Sequence, residues 1–455
     1  MTTKNIITTV ALTATLFFTK TQMKAASVVV SAITPTATTI TFTISMQYSW
    51  NLVGVIGSPR NWDAAWCFIK YADCTAPGVL NWSHLPVTSA NVVLTGGTTA
   101  TTPLQADGVA DGMGVFIRRT NPGSNTTTAI TGTVTLTFAT PLATANYKFK
   151  VFAIEMVNVG YEGAGVAFDL GCSGNTNTFN QISVTSEAAL SLATLGGTGT
   201  AAAGLPAAYP KGFAPFYCMK YNIKTQEILD FFNMLSYDQQ DQHKITNAIT
   251  NAPGVDISGS AVPDLVISAS ANSGTVPKIP ATFTAINTAT VVSNDWANKT
   301  YLAYLDWAAL RPMTELEFEK VNRGTLGRVA GGEYASGSAA NPNNTTTATS
   351  TRVQSGAGYY GALYMHGVGS GNGHSTLIVN TTTQASTGGN AFTATCGDGT
   401  LTAAGLADVA TWPDNITYAG GGYKAINEFV SSRNGYNVTT PNSGGNDQEG
   451  GRGVR

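Results

Sequence analysis

The chain has 455 residues, of which 24 are basic and 26 acidic; the formal net charge is -2 and only 11% of residues are charged. A typical soluble domain carries about 25% charged residues, and nucleic-acid binders present basic surfaces, so nucleic acid is excluded as the default partner. With 43% hydrophobic residues and 49 glycines, the chain has material for a sizeable core and reads as an all-β or loop-rich extracellular protein, its surface polarity supplied by hydroxyls and amides.

Taken in chain order, residues 1–26 come first. Lys4 precedes a mostly apolar run over residues 6–18, and Ala25 and Ala26 are small residues suited to cleavage. This predicts a secretory signal peptide, since the run is too short to span a bilayer. Thr8, Thr9, Thr13 and Thr15 dilute it, so a Thr-rich first strand is the other reading. No later stretch is long and apolar enough to be a transmembrane helix. The expected location is therefore extracellular or at a cell surface.

Residues 27–154 show period two. Runs at 28–33, 39–46, 62–71, 91–95, 114–118, 131–138 and 147–154 are short, β-branched or aromatic, and separated by Gly, Pro, Asn and Ser. Seven such strands predict a β-sandwich of the immunoglobulin or fibronectin-III kind. Trp62, Trp66 and Phe68 alternate onto one face and are expected in its core. Cys67 and Cys74 either close a small loop in an oxidising compartment or are two buried thiols. Cys172, Cys218 and Cys396 are scattered, and five is odd, so at least one thiol stays free or pairs outside the chain.

After residue 156 glycine-rich turns dominate and helices are few. Residues 225–235 place Ile228, Leu229, Phe232 and Leu235 at helical spacing behind Thr225 as N-cap. A second helix is expected over 295–309 and a third over 315–323. Thr314 and Glu317 form the capping box of the third, and Gly324 stops it. Glu315, Glu317 and Glu319 are read as capping and ion-pairing residues, with Arg311 or Arg323 as partner. Residues 272–290 and 335–356 are expected to be exposed polar loops. His366 and His374 lack further ligands at metal spacing. Ser336 and Ser338 lack a nucleophile elbow, and Gly420, Gly421 and Gly422 lack a phosphate-loop context.

Several blocks share one order. They are Glu155 to Gly160 with Phe168 to Gly171; Lys211-Gly-Phe-Ala-Pro-Phe-Tyr-Cys-Met-Lys-Tyr221; and Tyr304-Leu-Asp-Trp-Ala-Ala-Leu-Arg-Pro-Met-Thr-Glu-Leu-Glu-Phe-Glu319. Gly397-Asp-Gly-Thr-Leu401, Gly420-Gly-Gly-Tyr423 and Gly451-Arg-Gly-Val454 follow. Residues 155–455 thereby resemble the formylglycine-generating enzyme (sulfatase-modifying factor) family. Arg311 to Glu319, similar to that family's Arg-Leu-Pro-Thr-Glu-Ala-Glu-Trp-Glu, is the specific match. The resemblance implies a variant C-type-lectin-like domain with few helices and many loops, behind a sandwich of the kind some secreted bacterial relatives carry. The expected class is accordingly β-rich α+β.

The family's enzymes hold copper through two cysteine thiolates near the C-terminus. This chain has no cysteine after Cys396, and Lys424 to Val430 stands where the pair would fall. The family's Gly-Asn-Val-Trp-Glu is reduced to Gly367-Val-Gly-Ser-Gly371. The resemblance thus implies a pseudoenzyme without copper. Relatives hold calcium with loop oxygens, which makes Asp398, Asp408 and Asp414 the candidate ligands. Arg311, Thr314 and Glu317, with Cys67 and Cys74, are expected to be structural. The leading expectation is a secreted, non-catalytic protein that self-assembles into a filament, sheath or surface layer, with itself as partner. A lectin-like ligand- or carbohydrate-binding module is the first alternative, and a copper oxidase of the formylglycine-generating type the second.

Overall fold

The computed structural model describes residues 28–54, 60–75, 80–88, 93–97, 104–124, 128–142, 146–170, 182–191, 205–220, 223, 225–243, 298–323, 373–374, 392–412 and 450–455. Within them the chain is β-rich with few helices. The first part contains β1 (Val28–Pro35), β2 (Thr39–Met46), β3 (Trp50–Asn51), β4 (Asp63–Asp73), β5 (Trp82–His84) and β6 (Val93–Gly97). It continues with β7 (Leu104–Gly108), β8 (Val115–Arg119), β9 (Gly123–Ser124), β10 (Ile130–Thr137) and β11 (Tyr147–Val159). Then follow β12 (Phe168–Leu170), β13 (Ile182–Val184), β14 (Phe216–Met219), α1 (Thr225–Phe232), α2 (Tyr237–Gln242) and α3 (Asn298–Trp307). β15 (Arg311–Pro312), α4 (Glu315–Arg323), β16 (Gly373–His374), β17 (Gly450–Gly451) and β18 (Gly453–Val454) complete the order.

Two sheets face each other. The smaller has the order β1-β2-β10-β6; the larger runs β15-β18-β14-β11-β4-β8-β7, with β5 also on β4. The period-two sequences of β2 and β10 explain the first interface. Ile40, Phe42, Ile44 and Met46 of β2 and Val134 and Leu136 of β10 turn inward and meet Ala65, Cys67, Ile69, Val115 and Ile117 of the larger sheet. The threonines between them turn outward, where strand alternation places them.

β4 is buried on both faces from Asp63 to Lys70. Its other face, Ala64, Trp66 and Phe68, packs into a second core with Phe231 of α1 and Tyr304, Leu305 and Trp307 of α3. The Trp66 indole donates to the Ala308 carbonyl at 2.9 Å, and Phe68 meets Trp307 edge-on at 5.3 Å. Trp66 and Phe68 therefore lie outside the sandwich core expected for them. The reason is that β4 is a central strand covered on both sides, so its Ala-Ala-Trp-Cys-Phe-Ile run has no solvent face.

β11 is one continuous strand. It pairs with β4 from Tyr147–Asp73 to Val157–Asp63, and its last four residues also pair with β14. The expected division between residues 154 and 155 falls inside this strand. The two parts of the chain thus share one sheet.

Cys67 and Cys74 are both free, the first buried and the second partly so; Cys218 and Cys396 are free as well. This corrects the loop-closing alternative for the first pair. Seven residues of extended chain separate their Cα atoms by roughly 23 Å at strand rise, far beyond the ~7 Å that a disulfide spans. Cys172 and the polar loops expected over 272–290 and 335–356 lie outside the described residues.

α4 begins where predicted. Glu317 N donates to the Thr314 hydroxyl at 3.2 Å, and Thr314 N donates to Glu317 Oε2 at 2.9 Å. Arg311 grips the same carboxylate with two bonds of 2.8 and 2.6 Å, all of it buried. α1 stops at Phe232, three residues before its predicted end, because Ser236 opens α2. Gln239 N donates to the Ser236 hydroxyl at 3.3 Å and Ser236 N to the Gln239 side chain at 3.0 Å.

Candidate metal centre

The apolar faces of α3 seat it against the large sheet, and this fixes Asp306 near its C-terminal end. Asp306 lies in an otherwise apolar stretch, Tyr304-Leu-Asp-Trp, and is fully buried. The loop 392–412 wraps this end of the helix. Asp306 Oδ1 accepts from Asp398 N at 3.2 Å, Oδ2 accepts from Asp408 N at 3.0 Å, and the Asp306 main-chain carbonyl accepts from Gly399 N at 3.0 Å. The carboxyl groups of Asp306, Asp398 and Asp408 consequently lie within 4.8 Å of one another.

Glycine is required at one point of this loop. Gly399 has φ +82°, and a Cβ there would sit 2.0 Å from His84 Nδ1. The close approach lets buried Lys70 donate to the Gly399 carbonyl at 2.6 Å, with Trp307 and Phe68 rings 5.1 and 5.7 Å from its ammonium. Burial holds the Lys70 amine well below its ordinary range, against the pull of Asp306 and Asp398. His84 is fixed by a 2.7 Å contact between Nε2 and the Met113 carbonyl, and burial holds its pKa well down.

Burial pushes the Asp306 carboxyl up to about 7, with Asp408 and Asp398 adding repulsion and their two backbone amides opposing it. Asp408 is raised for the same first reason and by Asp398. Three hard carboxylates of one sign, two of them open to solvent, form a donor set suited to a divalent cation such as calcium. Each Asp306 oxygen accepts one amide and keeps a lone pair for a cation.

Of the three aspartates expected to act together, Asp398 and Asp408 meet and Asp414 lies outside the described residues. Asp306 is the candidate ligand that sequence reasoning missed, although a lone acid inside an apolar helical stretch was the available signal. Arg311, Thr314 and Glu317 form their own buried cluster at the start of α4. Asp398 is further fixed by Thr400 N, which donates to its Oδ1 at 2.8 Å. His366 lies outside the described residues. Comparison of the chain with family models, curated proteins and solved structures gave no match.

Proposed function

We propose that the protein is a secreted, non-catalytic structural protein whose copies associate through the open edge of the smaller sheet. The observation that carries this is β1. It stands at the end of the strand order, paired among the described residues with β2 alone, and it presents Val29 and Ile33 to solvent at 46% and 39% exposure. An edge strand that carries outward aliphatic residues is a template for another strand. A second copy of this chain is the partner, because the sheet behind this edge is also uncharged. Thr39, Thr41, Thr43 and Ser45 of β2 stand opposite Thr137, Thr135, Thr133 and Thr131 of β10. The Thr41 and Thr135 hydroxyls bond each other at 2.9 Å. Such a surface can be covered without desolvating ions.

Sedimentation velocity over a range of concentrations tests the reading. The chain is expected to associate, with little change between low and high salt. Val29→Lys with Ile33→Lys is expected to return it to monomer, as edge lysines do. A chain that stays monomeric throughout, with and without calcium, overturns the proposal. The three-carboxylate centre favours a second reading, a cation-dependent binding module for an extracellular ligand. In both readings the copper chemistry is absent, and a sulfatase-type cysteine peptide incubated with copper and oxygen should yield no aldehyde.

A further inference from the structure

Four lysines are buried among the described residues: Lys70, Lys211, Lys220 and Lys320. Lys70, Lys211 and Lys320 aim their amines at backbone carbonyls. Lys220 donates to the Tyr48 carbonyl at 3.5 Å and, unlike the others, also lies against two buried carboxyl groups. Its Nζ is 3.1 Å from Asp63 Oδ2 and 3.8 Å from Glu155 Oε1, and the three side chains are 7%, 5% and 5% exposed.

The sheet register assembles this trio. Asp63 opens β4, Glu155 lies in β11, and Lys220 follows β14. Glu155 pairs with Ala65, two residues beyond Asp63, while Lys220 N donates to the Glu155 carbonyl at 2.8 Å. With two-residue alternation the three side chains project from one face of three adjacent strands, Glu155 on the middle one. Trp50 covers the amine at 4.3 Å.

We propose that Asp63 and Lys220 become joined by an intramolecular amide bond, with Glu155 as the proton carrier. The surroundings of the Asp63 carboxyl match what such a step requires. Oδ1 accepts from the Ser49 hydroxyl at 2.7 Å and from Trp50 N at 2.9 Å. These two fixed donors stabilise negative charge on Oδ1 when Cγ becomes tetrahedral. Arg119, bonded to the Ser49 carbonyl at 3.2 Å, adds positive charge beside them. Oδ2 faces the amine and is the oxygen that leaves.

The step balances without any co-reactant. The Lys220 ammonium gives one proton to the Glu155 carboxylate, and the free amine attacks Cγ of the protonated Asp63. The nitrogen then loses a second proton, which passes by way of Glu155 to the Oδ2 hydroxyl. The Cγ–Oδ2 bond breaks, water departs and an amide remains, with the ammonium's extra proton left on Glu155. Burial, the largest influence on Asp63, pushes its carboxyl up toward the protonated acid that an amine can attack. Holding amine and carboxyl in contact in a dry site supplies the effective concentration that an ordinary condensation in water lacks.

The bond would connect residues 157 positions apart, tying the opening of β4 to the end of β14 across the shared sheet. Self-association does not depend on it, and the two proposals fail separately.

Intact mass of the full, folded chain under denaturing conditions tests the inference, with a peptide map to fix its N-terminus. The expected mass is one water below that of the sequence, with a branched peptide linking Asp63 to Lys220. Lys220→Arg and Glu155→Gln should both restore the full mass. Asp63→Asn should give the same link with loss of ammonia instead of water. A full, unlinked mass for the native chain overturns the inference and requires no variant to fold. Water loss in Glu155→Gln at the native rate overturns the role given to Glu155.

Discussion

Asp306 carries opposite demands at a single residue. Its two amide bonds favour the carboxylate, whereas burial and two neighbouring acids favour the acid form, and burial is the largest influence. Its folded pKa of about 7 stands above the ordinary 3.8. The folded state therefore binds the Asp306 proton more tightly than the unfolded chain does. That contribution is fully present below pH 3.8 and is lost as pH rises through about 7. With a chelator present, this group should lower the melting temperature as pH rises across that window. Calcium should oppose the loss most at the alkaline end, where all three carboxyl groups are ionised and cation binding stabilises the native form. Thermal unfolding at several pH values, with calcium and with chelator, measures both effects. In Asp306→Asn the calcium-dependent rise should shrink to near zero. An equal calcium response in that variant would place the ion elsewhere.

At the level of elements, α4 shows which local signals survive folding. Thr314-Glu-Leu-Glu317 specifies its own start because a capping box needs only residues three apart. Thr314→Ala removes the hydroxyl acceptor and should lower stability by about 1 kcal/mol. Glu317→Ala should lower it by about 3–5 kcal/mol, since it leaves the buried Arg311 guanidinium without its carboxylate. Urea unfolding of the two variants checks the order; equal losses would mean that the cap, not the ion pair, dominates. The same locality explains what was legible elsewhere. Thr39–Met46 alternates cleanly because one side of β2 faces solvent, and the predicted strand has the observed bounds. β7 and β14 gave no comparable signal: the first is a short Leu-Gln-Ala-Asp-Gly segment, and the second is a mostly buried four-residue strand without alternation. Asp398 and Asp408 are reached, with Asp414, through the family resemblance, which implies calcium held by loop oxygens in this region. Asp306 could not be joined to them, because that meeting depends on where α3 docks, about a hundred residues away in sequence.

At the level of the whole molecule, the sequence suggests a sandwich followed by a separate domain, and the large sheet runs through both. The change of pattern near residue 156 is real, but it marks the point where β11 exchanges one neighbourhood for another without ending. Nothing local reveals that a strand with its pairing complete on one side still has a partner to come on the other. The consequence can be tested by truncation. A chain of residues 27–154 keeps the inner faces of β2 and β10 against Ala65, Ile69 and Ile117 but strips the cover from Trp66, Phe68 and Phe116. Exposing three such rings forfeits on the order of 10 kcal/mol at the usual apolar-area coefficient. That is comparable with the entire stability of an ordinary domain, about 5–15 kcal/mol. The truncated chain should therefore be insoluble, or soluble only with weak near-ultraviolet circular dichroism and strong binding of a hydrophobic dye. The full chain should show a structured near-ultraviolet spectrum and one cooperative transition in which the sandwich and helices melt together. Cooperative unfolding of the isolated 27–154 segment, with a native-like spectrum, would restore the boundary at residue 154 and mean that the second core adds to a sandwich already stable without it.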